Sequence, residues 1–157
     1  MQHLDKKINT IILDCNKQIN NKIFGTNYLE KLKYLLIDQI ENYKIKYDDL
    51  TIVDDLFITK NVYGDNHLEI KLKYYNESVT KMKKNSLNDT LIIVLKGFKT
   101  IDFFKDMKTK DNNSLGLSAK NGIVYSKNTI ISEKINKDSI VLYITNNRKV
   151  LNIDIEK

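Results

Sequence analysis

Residues 67–75 read His67-Leu68-Glu69-Ile70-Lys71-Leu72-Lys73-Tyr74-Tyr75, and this stretch decides the fold class. Leu68, Ile70, Leu72 and Tyr74 alternate with His67, Glu69, Lys71 and Lys73. Successive side chains of a strand point to opposite faces, so a period of two predicts a strand with one apolar and one polar face. Upstream, Tyr63-Gly64-Asp65-Asn66 is a turn signal, and Leu56–Val62 reads as the hairpin partner. Downstream, short strands are predicted at Ser78–Lys83, Thr90–Lys96, Phe98–Phe104, Leu115–Ser118, Ile123–Tyr125, Thr129–Ser132, Ser139–Thr145 and Val150–Ile155. Asn, Asp, Lys and Gly fill the turns between them. Many short strands at regular intervals indicate a sandwich or barrel, not a βαβ sheet.

The N-terminal third has another period. Leu4, Ile8, Ile11, Ile12, Cys15 and Ile19 recur at spacings of three and four, one face of a helix. Gly25-Thr26-Asn27 interrupts the pattern, and Asn27 with Glu30 reads as an N-cap and its capping-box partner. A second helix then carries Leu29, Leu32, Leu36, Ile40 and Tyr43 on one face. The expected organisation is a two-helix extension over 1–48 and a β-barrel over 49–157. Both apolar stripes read as packing surfaces.

Bulk properties narrow the function classes. The chain has 157 residues, 41% hydrophobic and 29% charged, which is the composition of a globular protein. No apolar run approaches the ~20 residues that span a bilayer. Met-Gln-His-Leu-Asp-Lys-Lys has no apolar signal core, so the expected location is the cytoplasm, with no membrane partner. Cys15 is the single cysteine and reads as a small buried hydrophobe. The net charge of +6 invites a nucleic-acid reading. Yet Arg148 is the one arginine among 26 basic residues, and base edges and phosphates favour the guanidinium fork. The lysines are spread out, with one cluster at Lys81, Lys83 and Lys84, which could serve nucleic acid or an acidic partner.

Two segments resemble the cupin family. Asn88-Asp89-Thr90-Leu91-Ile92-Ile93-Val94-Leu95-Lys96-Gly97 is similar to the end of the first cupin motif, an acidic residue before an apolar strand and a "V-L-x-G" turn. Asn121-Gly122-Ile123-Val124-Tyr125-Ser126-Lys127-Asn128-Thr129-Ile130-Ile131 is similar to the second, a glycine, a short strand and an "N-T" turn. Ser139–Ile144 resembles the strand that closes such a barrel. The resemblance implies a mainly β, cupin-like jelly-roll barrel (a double-stranded β-helix), with Gly97 in a tight turn and Leu91–Leu95 packed on both sides. It also implies that such barrels commonly pair. A homodimer is the expected state, with the N-terminal helices supplying or covering the interface.

The family's metal ligands are not carried over. Its two first-motif histidines fall at Lys83 and Asn85, or at Lys84 and Ser86 for the longer spacing. Its carboxylate falls at Thr90, with Asp89 one residue out of register. Its second-motif histidine falls at Ile131, or at Glu133 by strict spacing from Gly122. A lysine ammonium has three donors and no lone pair to give. His67-Leu68-Glu69 supplies two-thirds of a facial triad, but the only other histidine is His3. No metal and no cofactor is expected.

The vacated slots outline a pocket instead. Strand alternation points Lys83, Asn85, Thr90, Ile92, Thr129 and Ile131 inward, with Tyr143 joining them. One cation, several hydroxyl or amide groups and apolar walls suit a small, anionic ligand. The competing reading is a filled barrel with Lys83 reaching to the rim. Two function classes follow: a ligand-binding or scaffold barrel, or a metal-free enzyme of the sugar-nucleotide isomerase or epimerase type. The enzyme would use Tyr143 or Tyr125 as base, positioned by Glu69 or Asp89. No Gly-x-Ser-x-Gly and no phosphate-cradling glycine loop occurs.

Overall fold

A computed structural model of the chain describes residues 2–19, 25–42, 50–51, 56–63 and 66–148. In chain order its elements are β1 (Gln2–His3), α1 (Leu4–Gln18), α2 (Thr26–Asn42), β2 (Leu50–Thr51), β3 (Leu56–Tyr63), β4 (Asn66–Tyr75) and β5 (Val79–Asn85). They continue as β6 (Asp89–Lys96), β7 (Phe98–Phe104), β8 (Asn112–Ser118), β9 (Gly122–Tyr125), β10 (Ile130–Ile135) and β11 (Ser139–Arg148). The expected strand Val150–Ile155, the helix position Tyr43 and the turn centre Gly64-Asp65 lie outside the described residues.

Nine of the strands form a five-stranded sheet, β3-β4-β11-β6-β9, and a four-stranded sheet, β5-β10-β7-β8, while the short β1 and β2 pair with each other in parallel. Pairing within both sheets is antiparallel. From β4 onward the chain crosses between the sheets at every connection except the β7–β8 hairpin. That order of eight strands is a jelly roll, with β3 added at one edge. The protein is thus mainly β with a helical N-terminal part.

The five-stranded sheet serves two cores, one on each face. On its outer face Leu68, Ile70, Leu72, Leu91, Ile93, Leu95, Leu142 and Ile144 pack with Ile8, Ile11, Ile12, Cys15 and Ile19 of the first helix and Leu29, Leu32, Leu36 and Ile40 of the second. On its inner face Ile92, Val94 and Val141 meet Ile101, Leu117, Ile131 and Ile135 of the opposite sheet. This explains why Leu91–Leu95 is continuously apolar. Each fully buried side chain of this size is worth about 1.5–3 kcal/mol. The helices therefore bury their apolar faces against their own sheet. Burial, with Asp14 and Asp38 adding to it, pushes the Cys15 thiol up to about 12, so it stays protonated.

Three local details fix the geometry. The helix α2 begins at Thr26, with the Leu29 N–H donating to the Gly25 carbonyl at 3.3 Å, so Asn27 sits in the first turn and not at the cap. Gly97 has φ 89°, and a Cβ there would stand 2.8 Å from the Ser139 Cα. Only glycine fits that turn. Finally, Ile131 pairs with Lys84 but Glu133 pairs with Lys81, so Ser132 of β10 faces both Met82 and Lys83 of β5. This β-bulge inserts one residue and inverts the alternation beyond it.

Candidate functional site

The polar face of residues 67–75 turns inward. With Leu68, Ile70 and Leu72 committed to the helices, Glu69, Lys71 and Lys73 are left on the wall of a barrel cavity of about 330 Å³. Lys81 and Lys84 come from β5, Thr90 from β6, Tyr125 from β9, Glu133 from β10, and Tyr143 and Thr145 from β11. Asn85, Ser86, Leu87 and Asn88 form the lip where β5 passes to β6. The lip is pinned to the "N-T" turn: the Asn128 N–H donates to the Ser86 carbonyl at 2.9 Å, and the Ser86 hydroxyl to the Thr129 carbonyl at 2.7 Å.

The floor of the cavity is a buried ionic network. Glu133 is 2% exposed, and its Oε2 lies 3.1 Å from Lys99 Nζ and 3.3 Å from Lys81 Nζ. Both approaches are ion pairs. Lys99 is fully buried behind this floor; it donates to the Tyr143 hydroxyl at 2.8 Å and stacks 4.3 Å from that ring. The Tyr143 and Tyr75 hydroxyls are 2.9 Å apart, and Lys81 reaches Tyr75 at 3.4 Å. An ammonium only donates, so Tyr143 accepts from Lys99, leaving its own proton for Tyr75 or for an oxygen in the cavity.

Burial pushes the Lys99 ammonium down to about 8, against the pull of Glu133. For Glu133 burial acts upward, but the ammoniums of Lys99 and Lys81 outweigh it and hold the carboxyl below its ordinary range. Lys81 is desolvated too, yet Glu133 and Tyr75 keep it above the usual lysine value. Burial first, then Glu133, raises both Tyr143 and Tyr125. These tyrosines are proton donors, not ready bases.

Of the residues expected inside, Asn85, Thr90 and Tyr143 line the cavity. Lys83 does not. The bulge turns it to the outer face, where its Nζ bonds the carbonyls of Thr109 at 2.6 Å, Met107 at 3.2 Å and Asp106 at 3.4 Å, 3.9 Å from the Phe104 ring centre. Ile92 and Ile131 sit in the apolar interior cluster, not among the lining residues. Thr129 belongs to the turn behind the lip. Of the enzyme candidates, Tyr143, Tyr125 and Glu69 all reach the wall, whereas Asp89 accepts the Lys127 N–H at 2.8 Å and lies off it. The alternative spacings, Lys84, Ser86 and Glu133, also meet the cavity. Lys99 was not singled out by the sequence, because a lysine in Phe98-Lys99-Thr100 reads as surface. The lysine cluster is also divided: Lys81 goes to the floor, Lys83 outward and Lys84 to the mouth.

These side chains do not suit a metal centre. The groups closest together are ammoniums, which have no lone pair to give, the Glu133 carboxylate already paired with two of them, and hydroxyls. Among the described residues no group of three or more His, Cys, Asp or Glu could hold an ion. His67 shares a strand face with Glu69 but has no histidine beside it there; its neighbours across the sheet are Asn61 and Asn147. Also among the described residues, no helix is long and apolar enough to cross a membrane.

No protein-family model matches the chain, and no curated protein matches it. Solved structures do. A cupin superfamily protein from Desulfitobacterium hafniense is 17% identical, with a TM-score of 0.45 over 62% of this chain and 82% of that one. KdgF from Halomonas sp. is 13% identical, with a TM-score of 0.46 over 67% and 92%. A putative mannose-6-phosphate isomerase from Ralstonia eutropha is 10% identical, with a TM-score of 0.42 over 62% and 87%. The likeness is one of strand arrangement, and cupin superfamily proteins are among the structures that share it.

Proposed function

We propose that this chain is a metal-independent, cupin-like barrel that binds a small organic anion in its cavity. The observation that carries the reading is the charge of the lining: Lys71, Lys73, Lys81 and Lys84 against Glu69 and Glu133, with hydroxyls of Thr90, Tyr125, Tyr143 and Thr145 among them. A concave site with convergent cations and neutral donors favours an anion that also carries hydroxyl or carbonyl oxygens. The same cations oppose a divalent metal. Thermal shift and calorimetry against small phosphorylated and carboxylated compounds test the reading, alongside elemental analysis of protein purified without chelator. Binding at one site per barrel that is lost in Lys81→Met supports it. Stoichiometric iron, nickel, manganese or zinc overturns it.

A metal-free isomerase or epimerase is the second reading, favoured by the presence of Tyr125, Tyr143 and Glu69 on one wall. With both tyrosines raised and so kept protonated, they would hydrogen-bond a substrate oxygen as it gains charge, and Glu69 would take the proton from carbon and return it. Isotope exchange from solvent into a bound sugar derivative, lost in Glu69→Gln, is the readout; no exchange with any ligand that binds removes it. A homodimer and a cytoplasmic location remain part of the proposal, and sedimentation equilibrium tests the first.

A further inference from the structure

The cavity floor holds two ammoniums, Lys81 and Lys99, against one carboxylate, Glu133. Only one of the two cations is compensated. Lys99 is fully buried and Lys81 is 31% exposed, so the uncompensated charge is expressed on the cavity side, at Lys81. Lys81's contacts are 3.3 Å to Glu133 Oε2, 3.4 Å to the Tyr75 hydroxyl, and 5.8 Å and 5.2 Å to the Tyr75 and Tyr143 ring centres. Glu133 is therefore a carboxylate built into the site that competes with any ligand for Lys81. Lys99 limits that competition because it occupies the same Glu133 oxygen from behind.

We infer that Lys99, although walled off from the cavity, is a positioning residue for anion binding: by holding Glu133 it keeps the charge of Lys81 available to the head of the ligand. The anion's oxygens would sit at Lys81 Nζ and accept from the Tyr143 hydroxyl, whose orientation Lys99 also sets. This rests on the anion-binding reading and says where in the cavity the charge is met: at the floor, not at the rim lysines. Without Lys99 the floor keeps Glu133 and Lys81 as a one-to-one pair, and the attraction for an anion at that point falls.

The test uses sulfate as probe, because it does not titrate near neutrality, in low-salt buffer where screening is weak. Calorimetry on the full chain is expected to show sulfate binding that Lys81→Met abolishes. Lys99→Met keeps the side-chain volume and is expected to weaken sulfate affinity about tenfold, the scale of losing one partly buried charge. Lys99→Met/Glu133→Gln removes the competitor as well and is expected to restore affinity to near the wild-type value. A Lys99→Met protein that binds like wild type, or a double variant no better than Lys99→Met, overturns the inference and leaves the anion-binding reading standing. Wild type that binds no sulfate, or binding unchanged in Lys81→Met, overturns both.

If Lys99→Met does not fold, the wild-type pH profile decides. The groups facing Lys99 are Glu133 of β10, Tyr143 of β11 and the nearby ammoniums of Lys81 and Lys84. Loss of the Lys99 proton frees Glu133 to capture Lys81, so sulfate affinity should fall as pH rises through about 8, well below the usual lysine range. A flat profile there overturns the inference.

Discussion

The two faces of the strands β4, β6 and β11 are made of alternate residues of the same segments, yet they solve opposite problems. On the outer face Leu68, Ile70, Leu142 and Ile144 pack in an apolar cluster with the helices. On the inner face Glu69, Lys71, Tyr143 and Thr145 line a cavity whose floor is an ion-pair network. The outer face is close-packed and holds the fold. The inner face spends part of that stability on desolvating Lys99 and Glu133, an expense that apolar side chains would avoid. A barrel closed only for stability would have the outer face twice. The inner face is therefore where the proposed anion site lies.

The largest expected effect breaks the inner face. Glu133→Ala leaves the buried Lys99 without its carboxylate, and removing one partner of a buried pair costs about 3–5 kcal/mol. Urea denaturation should show the loss. Lys99→Met/Glu133→Leu, which replaces the pair by apolar volume, should instead match or exceed wild-type stability. A double variant as unstable as Glu133→Ala would mean that the network, not packing, holds the barrel together. Leu142→Ala probes the other face, where a cavity in a dry core costs about 2–5 kcal/mol. It should leave sulfate binding unchanged while the protein is folded. Weakened binding in that variant would show that the two faces are coupled.

A good part of this division was legible in the sequence. The period-two alternation of 67–75, the apolar run Leu91–Leu95 and the stripe Ile8, Ile11, Ile12, Cys15, Ile19 gave the strands, the doubly packed centre and the first helix. Alternation says that two faces differ; it does not say which one is inside. The polar face of β4 lines the cavity because the helices claim the apolar one, a tertiary choice that no local pattern carries. The bulge opposite Ser132 was equally silent, and a one-residue shift exchanges Lys83 for Lys84. Strict spacing from Gly122 reached Glu133, and β10 itself runs against β7 without an insertion from Ile130 to Ile135.

An intermediate effect should appear in the pH dependence of stability. Lys99 is depressed to about 8 in the folded chain, whereas an ordinary lysine titrates near roughly 10.4. Between those values the unfolded state binds more protons, so the Lys99 contribution makes stability rise with pH across that window. Below about 8 its destabilisation is complete. Glu133 acts at the other end: its depressed carboxyl stabilises above the ordinary range, and this is lost as pH falls through the folded value. Lys81, held above the usual lysine value, contributes stability that is lost only above this window, as pH rises through its raised value. Denaturation midpoints of wild type and Lys99→Met/Glu133→Leu, compared across the window, isolate the inner-face term. Parallel curves would remove it.

The smallest expected effect separates neighbours in sequence. Lys83 and Lys84 are adjacent, but the bulge sends Lys83 to the outer side of β5, onto three carbonyls of the segment after β7. Those bonds are largely solvent-accessible, so Lys83→Met should cost no more than about 1 kcal/mol. It loosens the 105–111 connection and leaves the cavity's charge intact, so sulfate affinity should stay within about twofold of wild type once screening is considered. Lys84→Met removes a charge at the mouth and should weaken binding moderately, by less than Lys81→Met. If Lys83→Met weakened binding more than Lys84→Met, the shift in register would be on the wrong residue. The inner face would then begin one position earlier, and the chemistry assigned to it would have to move with it.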